Sequence, residues 1–557
     1  MSERMPEPWV PIGQSAHIDD FAARNLPPRA AWPVLSFDAP PALRAYPAQL
    51  NCATELLDKQ AAAHADRPVL YYGDAVWHYG ELLNKANRIA RVLVEDFDVK
   101  PGDRVLLRAP NNPIYVAAWF AVMKVGAVAV ATMPLLRRRE LAYMSNRAEA
   151  RVALCDARLA EELEAARPQA RALQHVAYFY SDAEDGLEAR METKAPSFDN
   201  VATAADDVCL IAFTSGTTGD PKGCMHFHRD VMAIGDTFSQ TVLRPAGDDI
   251  FAGSPPIAFT FGLGALVTFP MQVGAATVLV ESYTPETTLQ TIDRYGVSIL
   301  FTAPTAYRAM TPLVEKYSLA SLKKCISAGE ALPLPTYRGW EQATGIRIID
   351  GIGATEMLHI FISAAGDDIR PGSTGKPVPG YEAKVVDDQG RDLPAGQVGR
   401  LAVRGATGCR YLDNPEKQAA YVVDGWNFTG DAYSVDDDGY FHYQARTDDM
   451  IVSAGYNISG PEVETVLLEH PAVLECAVVS APDTERGQVV KAFIVPGDGW
   501  QAGNDLVRTL QEFVKAEIAP YKYPRRITFV ESLPRTQTGK LQRYILRERE
   551  QPEQQPS

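Results

Sequence analysis

A ten-residue segment rich in glycine and hydroxyl side chains, with one lysine, stands out in the 557-residue sequence. It consists of Thr214, Ser215, Gly216, Thr217, Thr218, Gly219, Asp220, Pro221, Lys222 and Gly223. Glycines let backbone amides point into a concavity, hydroxyl groups add donors, and the lysine adds positive charge, so the segment suits a polyphosphate. It does not match the Walker pattern GxxxxGK[ST]. On composition alone, a solvated turn between an apolar strand at 208–213 and a helix-like run is the alternative.

Three charged residues farther along the chain also lie in short, specific sequence contexts. Glu356 ends the string GATE, Asp431 ends WNFTGD, and Lys540 ends PRTQTGK. A carboxylate can position a hard cation or accept two ribose hydroxyls, and a lysine can stabilise charge when a carboxylate attacks a phosphate. Taken singly, each is an ordinary surface residue. A functional role for these three residues therefore depends on whether the three short motifs belong to one known family.

Together, the strings resemble the motifs of the adenylate-forming superfamily, which contains acyl-CoA synthetases, peptide-synthetase adenylation domains and luciferases. The segment 214–223 is similar to the family's phosphate loop, and the resemblance extends from about residue 51 to residue 547. Further family motifs follow in the expected order at 327–331, 353–356, 426–431, 446–451 and 534–540. The resemblance implies that ATP activates a carboxylic acid as its acyl-adenylate.

The resemblance implies a binding site for ATP and Mg²⁺. The predicted nucleotide-binding residues are Thr214, Ser215, Gly216, Thr217, Thr218, Gly219, Lys222, Gly329, Glu330, Ala331, Asp350, Gly351, Ile352, Thr355, Asp431 and Arg446. Ile352 stands where the family has a tyrosine that packs on adenine. Glu356 is predicted to position Mg²⁺, and Asp431 and Arg446 are predicted to contact ribose. The resemblance also implies that Thr218 and Glu356 are catalytic residues.

By the same resemblance, the C-terminal region serves two successive steps. Lys540 is the predicted catalytic lysine, because a cation between the attacking carboxylate and the α-phosphate stabilises the charge that develops. Asp448 is the predicted hinge about which the C-terminal domain turns. The loop with Ser453, Gly455 and Tyr456 then lines the tunnel for the pantetheine arm of coenzyme A (CoA). No base for the CoA thiol is predicted, since AMP is a good leaving group.

The acyl pocket is predicted to be apolar and aromatic, which suits a ring. The sequence segments that are predicted to form this pocket resemble the benzoate-CoA ligase branch. In that branch the lining residues would be Phe259, Thr260, Phe261, Ala328, Gly353, His359 and Ile360. Core packing is the alternative for the aromatic members. The strings at 303–308, 408–411 and 454–458 look most like 2-aminobenzoate-CoA ligases within this branch. An ortho-amino group needs an acceptor, which Thr260 or His359 could supply.

Two histidines follow the phosphate loop closely. His228, six residues after Lys222, lies where the superfamily places an aromatic or histidine gate, and it is predicted to stand beside the substrate carboxylate as a catalytic residue. The neighbouring His226 is predicted to be structural.

Helical patterns alternate with short β-branched runs from residue 51 onward, and these elements must position the residues named above. Such alternation predicts a parallel sheet covered by helices. Residues 382–445 change to short strands and turns, which suggests a small distorted β-barrel. After residue 446, a compact α/β pattern predicts a small, mobile C-terminal domain. The predicted class is α/β, with a Pro-rich arm (1–50), a large domain (51–445), a C-terminal domain (446–549) and a disordered tail (550–557).

Composition and charge exclude several other classes of protein. A formal charge of −16 argues against a nucleic-acid surface. The longest apolar stretch, 116–136, contains Lys124, Gly126 and Pro134, and it predicts a buried helix, a turn and a strand rather than a membrane span. Seven scattered cysteines and the lack of a signal-peptide pattern predict reduced thiols in a cytoplasmic protein. We expect a monomer or homodimer.

The sequence therefore predicts an ATP-dependent aryl acid:CoA ligase that acts on 2-aminobenzoate (anthranilate) and releases pyrophosphate and AMP. Benzoate or a substituted benzoate is the second substrate class, and a medium-chain fatty acid is the third. A stand-alone adenylating enzyme that loads a carrier protein is an alternative, although no carrier domain is visible. An inactive nucleotide-binding module is disfavoured, because the five expected charged residues are present: Lys222, Glu356, Asp431, Arg446 and Lys540.

Overall fold

The computed structural model describes residues 13–214, 221–453, 456–483, 486–535 and 541–550. Helices and strands are numbered in chain order. The helices are α1 (Phe21–Asn25), α2 (Pro41–Arg44), α3 (Lys59–His64), α4 (Tyr79–Arg91), α5 (Pro113–Val125), α6 (Arg138–Arg147), α7 (Ala160–Ala166), α8 (Leu187–Glu192), α9 (His228–Ile234), α10 (Thr260–Leu263), α11 (Phe269–Gln272), α12 (Pro285–Tyr295), α13 (Pro304–Met310), α14 (Leu334–Thr344), α15 (Pro415–Tyr421), α16 (Gly460–Glu469), α17 (Asn504–Glu517) and α18 (Arg543–Glu548). Among the described residues, none of these helices combines the length and the apolar character that a bilayer crossing needs.

The first sheet has six strands in the order β6-β5-β3-β4-β7-β8. They are β3 (Arg104–Arg108), β4 (Val128–Thr132), β5 (Val152–Asp156), β6 (His175–Phe179), β7 (Val208–Thr214) and β8 (Lys222–Phe227). All pairs are parallel except β7 with β8. Every residue of β3, β4 and β5 is buried, which explains their lack of polar alternation. The helix, turn and strand predicted at 116–136 are confirmed as α5, a left-handed Gly126 and β4.

The second sheet has nine strands in the order β15-β14-β13-β12-β11-β9-β10-β1-β2. They are β1 (Pro68–Tyr72), β2 (Ala75–His78), β9 (Ile250–Gly253), β10 (Ala276–Val278), β11 (Ile299–Thr302), β12 (Lys324–Ser327), β13 (Ile348–Gly353), β14 (Ile360–Ser363) and β15 (Lys376–Pro377). The parallel strands β11, β12 and β13 are in register, so Thr302, Ser327 and Asp350 lie side by side. Open α/β sheets bind ligands beyond such carboxyl ends, and the predicted adenine-side motifs begin there.

The third sheet is antiparallel and contains the short strands predicted within 382–445. They are β16 (Tyr381–Val386), β17 (Gly399–Gly405), β18 (Val422–Val423), β19 (Trp426–Val435) and β20 (Phe441–Arg446). The order is β16-β17-β19-β18, and β20 also pairs with β19. This last pairing sets Asp431 opposite Arg446, which are the two predicted ribose contacts.

The fourth sheet belongs to the smaller C-terminal part, which has its own apolar core including Val463, Ile494 and Leu510. Its strands are β21 (Ile451–Ser453), β22 (Tyr456–Ile458), β23 (Val473–Asp483), β24 (Gly487–Pro496) and β25 (Arg526–Phe529). Together with α16 and α17, they confirm the α/β pattern predicted after residue 446, and the predicted fold class is confirmed. The domain limits and the mobility stay predictions.

In the predicted tail, Glu550 pairs with Lys491 at 2.5 Å, and 551–557 lie outside the described residues.

The prediction of a helix-like run directly after the phosphate loop is wrong. Residues Lys222–Phe227 form strand β8, and α9 begins only at His228. One edge of β8 pairs with β7, and the other edge exchanges backbone hydrogen bonds with residues 410–412. A short strand that is enclosed on both sides carries no alternating pattern, so periodicity could not distinguish it from a helix.

Candidate active site

The two ends of the predicted phosphate loop lie together. Thr214 ends β7, Lys222 begins β8, and the two residues pair across the antiparallel strands. The lysine is therefore held at the base of the loop by strand pairing. The predicted loop residues Ser215, Gly216, Thr217, Thr218 and Gly219 lie outside the described residues.

The phosphate-loop lysine and the predicted Mg²⁺-positioning carboxylate meet at one tyrosine. The Lys222 ammonium lies 5.8 Å from the ring centroid of Tyr411, and the Tyr411 hydroxyl donates a hydrogen bond to Glu356 Oε1 at 2.5 Å. Burial, followed by the negative charge of Glu356, raises the pKa of Tyr411, so this hydroxyl stays protonated and remains a donor. Glu356 lies with Thr355 in the helical turn Thr355–Met357. The tyrosine thus orients a carboxylate next to the loop base.

We expect Tyr411→Phe to lower kcat by about ten- to a hundredfold and to raise the Mg²⁺ concentration for half-maximal rate. A hydrogen bond to a charged group is worth about 1.5–3 kcal/mol, and each 1.36 kcal/mol in the barrier is tenfold in rate. Initial rates over a Mg²⁺ series measure both effects. Tyr421→Phe is the matched control, because its ring lies 5.7 Å from that of Tyr411 and its hydroxyl has no hydrogen-bond partner among the described residues. Parental Mg²⁺ dependence in Tyr411→Phe would contradict the orienting role.

The two predicted ribose contacts form an ion pair. Arg446 Nη1 donates to Asp431 Oδ1 at 2.9 Å and to the carbonyl oxygen of Thr429 at 2.9 Å. Gly430 has φ 77°, a conformation that favours glycine, and a Cβ at this position would lie 2.7 Å from Arg446 Nη2 and displace that guanidinium. The guanidinium occupies one carboxylate oxygen and thereby fixes the direction in which Asp431 can accept further hydrogen bonds.

Another group of predicted nucleotide-binding residues lies at the carboxyl ends of β12 and β13. These residues are Gly329, Glu330, Ala331, Asp350, Gly351 and Ile352. Gly329 turns the chain after β12 with φ 89°, a conformation that favours glycine. Burial raises the pKa of the Asp350 carboxyl to about 7, although the nearby Gly351 amide and Ser327 hydroxyl lower it. Oδ1 of Asp350 makes no hydrogen bond within the described part of the chain, so it can accept one from a ligand.

The predicted acyl-pocket histidine lies in a cage of aromatic rings. The ring centroids of Phe269, Phe238 and Phe261 lie 4.5, 5.5 and 5.6 Å from that of His359. Burial lowers the pKa of His359 to about 3, so the imidazole is neutral at physiological pH. Neither ring nitrogen has a partner with normal hydrogen-bond geometry among the described residues, although the Phe261 backbone lies close enough to oppose part of the fall in the pKa of His359. The cage therefore holds one unused polar group in apolar surroundings.

Close contacts fix the backbone around this cage. A Cβ on Gly264 would lie 2.3 Å from His359 Cδ2, and a Cβ on Gly353 would lie 2.7 Å from the His359 carbonyl oxygen. Ile360 packs against Gly351 in the same way. The other predicted pocket residues are partly or fully buried at nearby element ends: Phe259, Thr260, Phe261 and Ala328. The structure thus brings Phe261 and Gly353 of the predicted pocket into contact with His359.

His228 lies at the start of α9, and its predicted place beside the substrate carboxylate stays a prediction. Strand β8 has six residues, and at about 3.3 Å per residue His228 lies roughly 20 Å from Lys222. Its imidazole is fully buried, and its Nδ1 lies 3.2 Å from Cys52 Sγ, in a cluster that also contains Cys209. His226 is also buried and lies 2.9 Å from the Thr355 carbonyl oxygen, which agrees with a structural role.

The predicted C-terminal site residues are described only in part. Ser453 ends β21 and is buried, and its backbone pairs with that of Tyr456 in β22. Asp448 lies in the helical turn Thr447–Asp449 that follows β20. Gly455 and Lys540 lie outside the described residues. The roles of all these residues stay predictions.

Sequence reasoning missed a buried ion pair behind the site. Arg410 and Asp230 are both fully buried and contact each other directly, and Arg410 Nε donates to the Met225 carbonyl oxygen at 3.3 Å. The pair joins the start of α9 to the segment that carries Tyr411. Residues 408–411 resemble the branch, but a contact across 180 residues leaves no local signal in the sequence from which the pair could be predicted.

Two family profiles match the chain. The profile of the AMP-binding enzyme family covers residues 57–410, and the profile of the AMP-binding enzyme C-terminal domain covers residues 462–540. The chain belongs to the AMP-binding enzyme family.

Similar proteins agree with this assignment. The chain is 37% identical over 516 residues to a benzoate-CoA ligase of Thauera aromatica, covering 92% of this chain and 98% of the relative. The crystal structure of the anthranilate CoA ligase AuaEII with anthranoyl-AMP superimposes with a TM-score of 0.87 at 35% identity, over 91% of this chain and 98% of that one. The crystal structure of a benzoate CoA ligase from Burkholderia xenovorans LB400 superimposes with a TM-score of 0.82 at 31% identity. The match covers 89% of this chain and 100% of that one.

The protein is an AMP-forming acid–CoA ligase, and it uses ATP, Mg²⁺ and CoA. The residues of the site fit these groups. Glu356 and Asp350 offer carboxylate oxygens, Lys222 offers a cation, and the Asp431–Arg446 pair offers oriented donors and an acceptor. Mg²⁺ prefers oxygen ligands and is bound with nucleotide phosphates, so the carboxylate of Glu356 is chemically suited to it.

Proposed function

We propose that this ligase activates an aromatic carboxylic acid, with 2-aminobenzoate as its preferred substrate, and transfers the acyl group to CoA. The observation that carries the proposal is the aromatic cage around His359. Apolar aromatic walls suit a planar ring, and a neutral, buried imidazole without a partner can accept a hydrogen bond from an ortho-amino group. The likeness to the structure of the anthranilate CoA ligase AuaEII supports the same choice.

In the first step, a carboxylate oxygen of the acid attacks the α-phosphorus of ATP. The bond to pyrophosphate breaks, pyrophosphate leaves, and an acyl-adenylate remains. Lys540 and Lys222 stabilise the negative charge that develops on the phosphate oxygens, with the loop residues Thr214, Ser215, Gly216, Thr217, Thr218 and Gly219 as donors. In the second step, the CoA sulfur attacks the acyl carbon, its proton passes to solvent, and AMP leaves.

The nucleotide is proposed to lie across the carboxyl ends of the second sheet. Asp350 accepts a hydrogen bond from the adenine amino group, and Gly329, Glu330, Ala331, Gly351, Ile352 and Thr355 surround the base. Asp431 accepts hydrogen bonds from ribose hydroxyls, and Arg446 keeps that carboxylate in place. When bound, Mg²⁺ neutralises phosphate charge, and Glu356 would hold it there.

The C-terminal part (446–549) is proposed to turn about Asp448 between the two steps. Lys540 serves the first position, and the loop with Ser453, Gly455 and Tyr456 serves CoA in the second. A hinge of this kind lets one site meet two different chemical needs in sequence.

Substrate competition tests the choice of acid. In an equimolar mixture of 2-aminobenzoate, benzoate and octanoate with ATP, Mg²⁺ and CoA, we expect 2-aminobenzoyl-CoA to form fastest. His359→Phe is expected to lower kcat/KM for 2-aminobenzoate by about two- to tenfold, because one neutral hydrogen bond is worth about 0.5–1.5 kcal/mol. Benzoate, which lacks the amino group, serves as the internal control and should change less.

Thr260→Val tests the other candidate acceptor without a change of shape. If Thr260→Val rather than His359→Phe causes the selective loss, the acceptor is Thr260. Equal losses for both acids in both variants would contradict recognition of the amino group in this cage. A preference for benzoate in the parental enzyme would favour the second substrate class.

Loading of a carrier protein remains the alternative function of another kind. It predicts AMP release that depends on a protein thiol rather than on free CoA. Formation of a free acyl-CoA at a rate that depends on CoA concentration would exclude it.

A further inference from the structure

Four charged side chains alternate in sign across the contact between the large part of the molecule and its C-terminal part. Arg308 contacts Glu475 at 3.2 Å, Glu475 contacts Arg535 at 3.0 Å, and Arg535 contacts Glu330 at 3.6 Å. Arg308 and Glu330 belong to the large part, whereas Glu475 and Arg535 belong to the C-terminal part. Two of the three ion pairs therefore cross the contact. We call this set the interface charge chain.

One end of the interface charge chain lies in the loop after β12, which is part of the proposed nucleotide site. Glu330 directly follows the left-handed Gly329 in the loop after β12. Arg535 forms an isolated bridge with Leu541, and the Gln542 amide donates to the Pro534 carbonyl oxygen at 2.9 Å. These contacts close the base from which the segment 536–540 departs, and Lys540 directly precedes Leu541 in the chain.

The side chains of the interface charge chain are shielded from solvent in part. Their exposed fractions are 17% for Glu330, 28% for Arg535, 30% for Glu475 and 32% for Arg308. Pairs in such positions are screened less by salt than fully exposed pairs. A guanidinium with several donors can also serve two carboxylates at once, which a lysine ammonium does less well. Arg535 is the member that does so.

We propose that Arg535 is a positioning residue for acyl-adenylate formation, because its pair with Glu330 holds the base of the Lys540 segment against the nucleotide loop. This inference rests on the proposed function and on the proposed hinge. If the C-terminal part turns for thioester formation, the pairs Arg535–Glu330 and Arg308–Glu475 must separate, since their members lie on opposite sides. The pair Arg535–Glu475 lies within one part and is kept. Arg535 therefore serves the first half-reaction and not the second.

The test separates the two half-reactions. ATP–pyrophosphate exchange with 2-aminobenzoate measures adenylation, and synthetic 2-aminobenzoyl-AMP with CoA measures thioester formation. For Arg535→Ala we expect the kcat of exchange to fall about tenfold or more, with KM for ATP nearly unchanged, because the loss is one of positioning. Thioester formation is expected to stay within about twofold of the parental rate, which also shows that the variant is folded. Arg535→Lys should recover part of the exchange rate, because it keeps the charge.

Two further variants sharpen the test. Arg308→Ala removes the other cross-interface pair and should also slow exchange selectively, though less. Arg526→Ala is the matched control, because Arg526 pairs at 3.5 Å with Asp483 within the C-terminal part and lies outside the interface charge chain. Equal losses in both half-reactions, or none in either, would overturn the proposal for Arg535. An inactive parental enzyme in both assays would instead count against the proposed function.

Discussion

Replacement of Lys540 by alanine is expected to slow acyl-adenylate formation at least about a hundredfold, because the developing phosphate charge loses its cation. The attacking carboxylate and the α-phosphate are both anionic, so a bridging ammonium acts where repulsion is greatest. The second half-reaction has no such need, since its nucleophile is a thiol and its leaving group is AMP. Transfer from synthetic 2-aminobenzoyl-AMP to CoA should therefore stay near the parental rate.

Single-turnover assays of the two half-reactions measure this difference directly. Lys515→Ala is the matched control, because Lys515 lies in the same part of the chain and pairs with Glu512 on an exposed helical face. It should leave both rates unchanged. A similar slowing of both half-reactions by Lys540→Ala would show that this lysine supports the fold or the nucleotide site in general.

Arg410→Met is expected to have the largest effect on stability, about 3–5 kcal/mol in the free energy of unfolding. Both members of the Arg410–Asp230 pair are fully buried, so removal of the arginine leaves a carboxylate without its main counter-charge. Burial alone would raise the pKa of Asp230, but Arg410, His226 and Arg229 lower it to about 2. Because this folded pKa lies below the ordinary value, the stabilisation is present above about pH 4 and is lost as the pH falls towards 2.

Urea denaturation of the parent and the variant at pH 7 and at pH 3 measures the effect. The difference between the two proteins should shrink at the lower pH. The double variant Arg410→Met with Asp230→Asn should be more stable than Arg410→Met alone, since it leaves no unpaired charge. Arg391→Met is the control, because its pair with Asp387 is exposed and worth about 0–1 kcal/mol. A midpoint for Arg410→Met as high as that of the control would contradict the account.

Local patterns in the sequence were sufficient for the α/β class and for several of its helices and strands, although not for β8. The alternation of helical and β-branched runs predicts α4, β3 and β5, because the spacing of apolar residues in each run shows which of its side chains are buried. The motif strings likewise place Asp431 and Arg446 in one site, where the structure joins them at 2.9 Å. These features depend on neighbours that are close in the chain.

Contacts between distant segments were not predictable in the same way. The hydrogen bond from Tyr411 to Glu356 spans 55 residues, and the Arg535–Glu330 pair joins two separate parts of the chain. No periodicity or spacing records such a contact. The distance between His228 and Lys222 is likewise not evident from the sequence, because six residues of extended strand separate two positions that are close in the chain.

The most direct test of the account is a product analysis of the purified protein with ATP, Mg²⁺, CoA and 2-aminobenzoate. Liquid chromatography with mass detection would quantify AMP and 2-aminobenzoyl-CoA over time. We predict that the two products appear in equal amounts, and faster than AMP and benzoyl-CoA appear from benzoate. AMP without thioester, or faster turnover of benzoate or octanoate, would contradict the proposed function.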